Sequence, residues 1–97
     1  MKNEIYFEKG TSVIMPMSYP FIYDLAQVIN KNDAITEIVI ESTSENIQMS
    51  FDRGEAVKKA LKSLNVKANI VVKGVQGTEE KFEFKVVLVS KVLLLSP

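Results

Sequence analysis

The sequence contains no cysteine and no histidine. It therefore has no disulfide, no thiolate nucleophile, no imidazole base and no soft ligand for a transition metal. These absences exclude most nucleophilic, general-base and zinc-dependent chemistry. We expect a protein that is not an enzyme and that holds no metal ion and no cofactor. The lack of cysteine identifies no cellular compartment, because cysteine-free proteins suit all of them.

An excess of either charge is also missing, since twelve basic residues balance twelve acidic ones. Nucleic-acid-binding domains usually carry a basic excess, so we expect no nucleic-acid partner. The longest apolar stretch, Val86–Leu95, is interrupted by Lys91 and is too short to span a bilayer as a helix. The first ten residues lack the apolar segment of a signal peptide. We expect no membrane-spanning segment here, and any export signal to lie elsewhere in a longer protein.

What the chain does contain is typical of an ordinary globular domain, with 46% apolar and 25% charged residues. Its 97 residues suffice for one domain with a modest core. We predict a single domain over residues 1–97, with a folded core at about 4–92 and an apolar tail at 93–97.

Apolar periodicity predicts four strands and two helices. The strands are Glu4–Phe7, Thr36–Ser42, Lys67–Gly74 and Lys81–Val92, and the helices run from about Ser18 to Asn30 and from about Ile47 to Leu64. Ser18 is a good N-cap for the first helix, whose predicted apolar face is Phe21, Leu25, Val28 and Ile29. The last strand is apolar on both faces, which is typical of a central strand. Gly54 falls inside the second helix, where Gly54→Ala is expected to be stabilising.

The order of these elements, β-α-β-α-β-β, predicts an α+β fold. In a two-layer sandwich, both helices pack on one face of a four-stranded mixed sheet and bury their apolar faces there. The β-α-β units are expected to cross over in the right-handed sense. Leu25, Ile29, Val57, Leu61 and Phe84 are the predicted core residues.

Four segments in this order resemble the OmpA-like peptidoglycan-binding domain over about residues 4–90. They are "IYFEKGTSVIMP", "DLAQVINKND", "IVIESTS" and "NIQMSFDRGEAV". The last resembles the family's second-helix pattern Asn-x-x-Leu-Ser-x-x-Arg-Ala-x-x-Val, with Met49 in place of Leu and Gly54 in place of Ala. The resemblance implies the same β-α-β-α-β-β fold, with the last strand inserted between the first two.

The resemblance also implies a binding site. In the family, an Asp after the second strand and the Arg of the second helix hold diaminopimelate, a zwitterion that needs both an acidic acceptor and a bidentate donor. Arg53 matches the donor, Thr43 is kept, and Ser44 stands in the Asp position. The loop that follows is shortened to "SE". The candidate ligand-binding residues are Arg53, Thr43, Ser44, Asn46, Glu41 and Glu45, the two glutamates being possible replacements for the Asp.

Simpler interpretations of these residues stay open. Arg53 is explained equally well by a pair with Glu41, Glu45 or Glu55 on the protein surface. Ser44 and Asn46 are both good N-caps for the second helix.

Two functions follow from the resemblance. One is a non-enzymatic domain of a bacterial cell-envelope protein, in the periplasm or at the outer membrane, with weakened or lost binding of the peptidoglycan peptide stem. The other is a degenerate OmpA-like fold that acts as a scaffold or binds an envelope partner protein.

Overall fold

The computed structural model of the chain describes residues 5–88. A short 3-10 turn at Pro16–Ser18 leads into α1 (Tyr19–Lys31), and then follow β1 (Ile35–Ser44), α2 (Ile47–Ser63), β2 (Asn69–Gln76) and β3 (Lys81–Leu88). Both predicted helices are present at close to their predicted bounds. No helix within residues 5–88 has the length and apolar character needed to cross a membrane.

The described sheet has three strands in the order β2-β1-β3. β1 runs parallel to β2, to which it is connected through α2, and antiparallel to β3. The predicted mixed α+β architecture is therefore confirmed, but the prediction of four strands is wrong for the part of the chain that the structure describes. The predicted last strand ends at Leu88 here, and residues 89–97, with the rest of that strand and the tail, lie outside the described range.

The missing strand is the predicted first one, of which Glu4 lies outside the described range. Its remaining residues fold into a local hairpin instead, defined here as the N-terminal hairpin, residues 5–15. Phe7 bridges Ile14, and the Met15 amide donates to the Tyr6 carbonyl at 2.9 Å. The chain turns at Gly10, whose φ of 71° suits a residue without a side chain. This segment reaches the sheet by side-chain packing, with the Phe7 and Phe82 rings 5.7 Å apart.

Ser18 holds this hairpin against α1. It occupies the N-cap position as predicted, yet its side chain makes no capping bond to the helix. The hydroxyl instead accepts from the Tyr6 amide at 2.7 Å, across twelve positions of sequence. The expected N-cap role of Ser18 is thus replaced by a tertiary contact.

The prediction that the last strand is central is not met within residues 5–88, where β3 pairs with β1 alone. Its first half faces the helices, with Phe82 buried and Phe84 half-buried against the core. Phe84 lies opposite Ile40 in the register and packs against Phe21 of α1 at 6.3 Å. Val86 and Val87 are exposed, and within residues 5–88 the N-terminal hairpin forms no ladder with this strand.

Both helices cover the face of the sheet that Ile38 and Ile40 present. α1 contributes Ile22, Ala26 and Ile29, and α2 contributes Val57 and Leu61, to the same buried cluster as these two isoleucines. Three of the five predicted core residues are fully buried, while Leu25 and Phe84 are half-buried at its margin. The buried stripe of α1 is rotated from the predicted one, which leaves Val28 55% exposed.

Leu61→Ala is expected to lower the free energy of unfolding by about 2–5 kcal/mol, because it removes a side chain from the fully buried centre of the cluster. Chemical denaturation monitored by circular dichroism measures this loss. Lys59→Ala, on an exposed position of the same helix, serves as the control and should change stability by less than about 0.5 kcal/mol.

Two glycines bring α2 unusually close to β2. A Cβ built at Gly54 would overlap the Cγ1 methyl of Val72, and one at Gly74 would lie 2.9 Å from the amide nitrogen of Phe51. Each glycine therefore removes a side chain from the interface between the helix and the strand. Gly54 lies against the strand and is not an ordinary helix position. This packing does not support the expectation that Gly54→Ala stabilises the domain.

Gly54→Ala is predicted to destabilise the domain by about 1–3 kcal/mol, because valine is stiff at χ1 and cannot turn its methyl away. Val72→Ala removes the overlapping methyl. In the double variant the loss should therefore be smaller than the sum of the two single losses. Additive losses, or a gain in stability from Gly54→Ala alone, would contradict this account of the interface.

Candidate functional site

Arg53 is the one buried cation among residues 5–88, with its side chain 6% exposed. Its Nε donates to the Thr11 carbonyl at 2.8 Å, and its Nη1 donates to Glu80 Oε1 at 2.9 Å. The ring of Phe7 lies against the guanidinium, 4.9 Å from Cζ to the ring centroid. The ion-pair partner of Arg53 is therefore Glu80, in the turn before β3, and not Glu41, Glu45 or Glu55.

Ser44 takes part in a hydroxyl network. It is 3% exposed. Its Oγ lies 2.7 Å from Ser50 Oγ and 2.8 Å from the Asn46 carbonyl, and Ser50 Oγ lies 2.8 Å from the Val75 carbonyl. Each hydroxyl has one proton, so two of these three contacts are hydrogen bonds at any one time. The network links the end of β1, the first turns of α2 and the end of β2, so both hydroxyls have a structural role.

The other predicted acidic and capping residues have separate roles. Asn46 is the N-cap of α2 and accepts from the Met49 amide at 3.0 Å, as the simpler interpretation predicted. Glu41 lies on the open face of the sheet, 3.5 Å from the Lys85 ammonium. Glu45 is exposed, and its carbonyl accepts from Gln76.

A cavity of about 930 Å³ opens between the N-terminal hairpin, α2 and the start of β3. Its lining comprises Ile5, Tyr6, Phe7, Glu8, Lys9, Met15, Ser42, Thr43, Arg53, Glu80, Lys81, Phe82 and Glu83. Of the six predicted site residues, Arg53 and Thr43 line this cavity. The structure does not bring Ser44, Asn46, Glu41 or Glu45 into its wall.

Ser42 is a member of the lining that the resemblance did not single out. It lies on the helix-facing side of β1, is 1% exposed, and its Oγ has no hydrogen-bond partner within residues 5–88. Glu80 was also not predicted. Its contact with Arg53 spans 27 positions and depends on the turn between β2 and β3, so no local spacing in the sequence indicates it.

Comparison with known proteins adds information about the fold. No protein-family profile matches the sequence, and no curated protein matches it either. Among solved structures, the C-terminal domain of Helicobacter pylori MotB (residues 125–256) superposes with a TM-score of 0.72. The match covers 94% of this chain and 89% of that one, at 14% sequence identity. The chain therefore shares the fold of this MotB domain, and at such low identity the likeness extends to the fold alone.

The two buried serines of β1 provide a stability test of the site. Ser44→Ala should lower the free energy of unfolding by about 1–2 kcal/mol, since it removes hydrogen bonds inside the hydroxyl network. Ser42→Ala should leave stability unchanged or raise it slightly, because the Ser42 hydroxyl makes no hydrogen bond that the substitution would break. Urea denaturation of both variants measures the difference. Equal losses would contradict the assignment of separate roles to the two hydroxyls.

Proposed function

We propose that this chain is an OmpA-like domain of a bacterial cell-envelope protein, with weakened or lost recognition of the diaminopimelate zwitterion of peptidoglycan. It acts by binding and not by catalysis. One observation carries the proposal. Arg53, which matches the family's ligand-binding arginine, is buried and already engaged by Thr11 and Glu80, while the acidic companion position is a serine with a structural role.

The OmpA-like part of the proposal has two supports. The four segments that resemble the family occur in the family's order. The fold is shared with the C-terminal domain of Helicobacter pylori MotB. A place in the periplasm or at the outer membrane, within a larger exported protein, follows from the same resemblance.

Weakened recognition follows from the two ends of the zwitterion. The ligand's carboxylate must compete with Glu80 for Arg53, because the Glu80 carboxylate already accepts a hydrogen bond from Nη1. Its ammonium needs a negative acceptor, and Ser44 offers only a neutral hydroxyl that is directed to Ser50 and Asn46. Glu41 is close to Lys85 instead. A ligand charge that loses its partner weakens binding, because its desolvation is no longer offset.

A scaffold role is the second candidate, favoured by exposed apolar pairs on the helices. Tyr19 and Tyr23 lie four residues apart on α1, and Ile47 and Phe51 lie four residues apart on α2. Residues with this spacing share one face of a helix. Aromatic side chains of this kind are enriched at protein interfaces, which supports contact with an envelope partner protein.

Calorimetric titration with a diaminopimelate-containing peptide tests the main proposal. The wild-type chain should bind weakly or not at all. Ser44→Asp should not create tight binding, because Ser44 lies in the hydroxyl network and outside the lining of the Arg53 cavity. It should also lower stability, since it places a carboxylate at a 3% exposed position.

Tight binding by the wild type that Arg53→Lys abolishes would overturn the proposed loss of recognition. In that case an acidic residue other than the family's Asp must receive the ammonium. Glu80→Gln and Glu41→Gln would then identify the residue, since only the variant that lacks the acceptor should lose affinity.

A further inference from the structure

Strand β3 lies at an edge of the described sheet. Within residues 5–88 it forms a ladder with β1 alone, so no strand lies along its other side there. A strand that is paired on one side directs the N–H and C=O groups of alternate residues away from its neighbour. Residues 81–88 contain no proline, and the register with β1 is regular from Lys81 to Val87. The backbone of β3 can therefore accept a further strand.

Apolar side chains remain exposed beside this edge. Val86 lies opposite Ile38 in the register, on the side of the sheet that faces the helices, yet both Val86 and the nearby Leu88 are exposed. The other edge strand differs, because Ile70 of β2 is buried and Val72 packs against the core. A strand added at β3 would therefore cover apolar surface that a strand added at β2 would not.

The charges on the open face of β3 specify what the added strand must carry. Glu83 lies opposite Glu41 in the register and makes no ion pair within residues 5–88. Like charges directly opposite each other are destabilising, so a cation on the other side of Glu83 is favoured. Lys85 follows two residues later on the same face, with its side chain 61% exposed. Charged residues usually protect an edge strand from pairing, unless the incoming strand carries the opposite charges.

Strand β3 of a second copy carries those charges. In an antiparallel pair with Phe84 opposite Phe84, Glu83 of each copy lies opposite Lys85 of the other. On the helix-facing side the same register places Phe82 opposite Val86, which covers the exposed valine. Since residues that point to the same face oppose each other, the helices of both copies stay on one side of the sheet. The contact is identical in both directions, as a two-fold axis requires.

We propose that the chain forms a two-fold symmetric dimer through the edges of β3, which gives one continuous sheet with three strands from each copy. The pairs between Glu83 and Lys85 form on the open face, and the apolar pairs form on the helix-facing side. This interface lies outside the two helical surfaces considered for a scaffold role, and it does not depend on the envelope assignment.

Sedimentation equilibrium of the full chain over a concentration series tests the proposal. The wild type should show a reversible monomer–dimer equilibrium. Glu83→Lys should raise the dimer dissociation constant about tenfold or more, because it places like charges opposite each other at both symmetric positions. It should leave the monomer folded, since the new cation lies opposite Glu41. Lys85→Glu should weaken the dimer to a similar extent, and circular dichroism checks that both variants are folded.

A mixture of the two variants tests the register. Glu83→Lys and Lys85→Glu chains combined in equal amounts should form a heterodimer, in which opposite charges face each other again at both positions. Its dissociation constant should return to within a few-fold of the wild-type value. Glu45→Lys and Lys59→Glu make the same charge changes at exposed positions outside β3, so each control should dimerise like the wild type.

The proposal is overturned if the wild type stays monomeric at all concentrations, which would mean that the β3 edge is left to water or covered within one chain. It is also overturned if Glu83→Lys dimerises like the wild type, or if the mixture does not recover, because the two copies would then meet through another surface. These outcomes are separate from the proposed function, which depends on titration with the diaminopimelate peptide and can be measured on the monomeric variants.

Discussion

The guanidinium of Arg53 joins three parts of the chain that are distant in sequence. Through Nε it holds the Thr11 carbonyl of the N-terminal hairpin, and through Nη1 it holds Glu80 in the turn before β3. The ring of Phe7 packs against its plane. A buried cation is strongly unfavourable without such partners, so Arg53 needs both contacts, and they add to the Ser18–Tyr6 hydrogen bond that holds the hairpin. The cavity lies where the hairpin, α2 and the start of β3 meet around Arg53.

The close approach of α2 to β2 places Arg53 where it can make these contacts. Gly54 and Gly74 let the helix lie against Val72 and let the strand lie against the backbone at Phe51. The Ser44–Ser50 contact adds a hydrogen bond at the same end of the helix. Because Gly54 faces the strand, the neighbouring Arg53 points away from it, about 100° around the helix, towards the hairpin. Gly54 and Ser44 therefore belong to one packing arrangement.

Local pattern predicted much of this fold, and long-range contacts account for what it missed. Helical periodicity located both helices, and the alternation of Ile38 and Ile40 located β1, because those signals arise within a few residues. The first strand was mispredicted because a short aromatic segment is compatible with a hairpin as well as with a sheet strand. The hairpin depends on the contact of Ser18 with Tyr6 and on the turn at Gly10. In the site, family spacing led to Arg53 and Thr43. It could not lead to Glu80 or Ser42, because their importance arises only when β3 and the hairpin close the cavity.

The presence of a buried arginine at position 53 has a physical explanation in these contacts. If Arg53 served only to bind a ligand, it would need no hydrogen-bond partner within the chain. Here its Nε and Nη1 have partners within the chain, and its removal would leave the Thr11 carbonyl and the Glu80 carboxylate without their donor. A structural requirement of this kind accounts for an arginine at this position whether or not a ligand binds. The presence of Arg53 is therefore weak evidence for diaminopimelate recognition, because its contacts within the chain account for it.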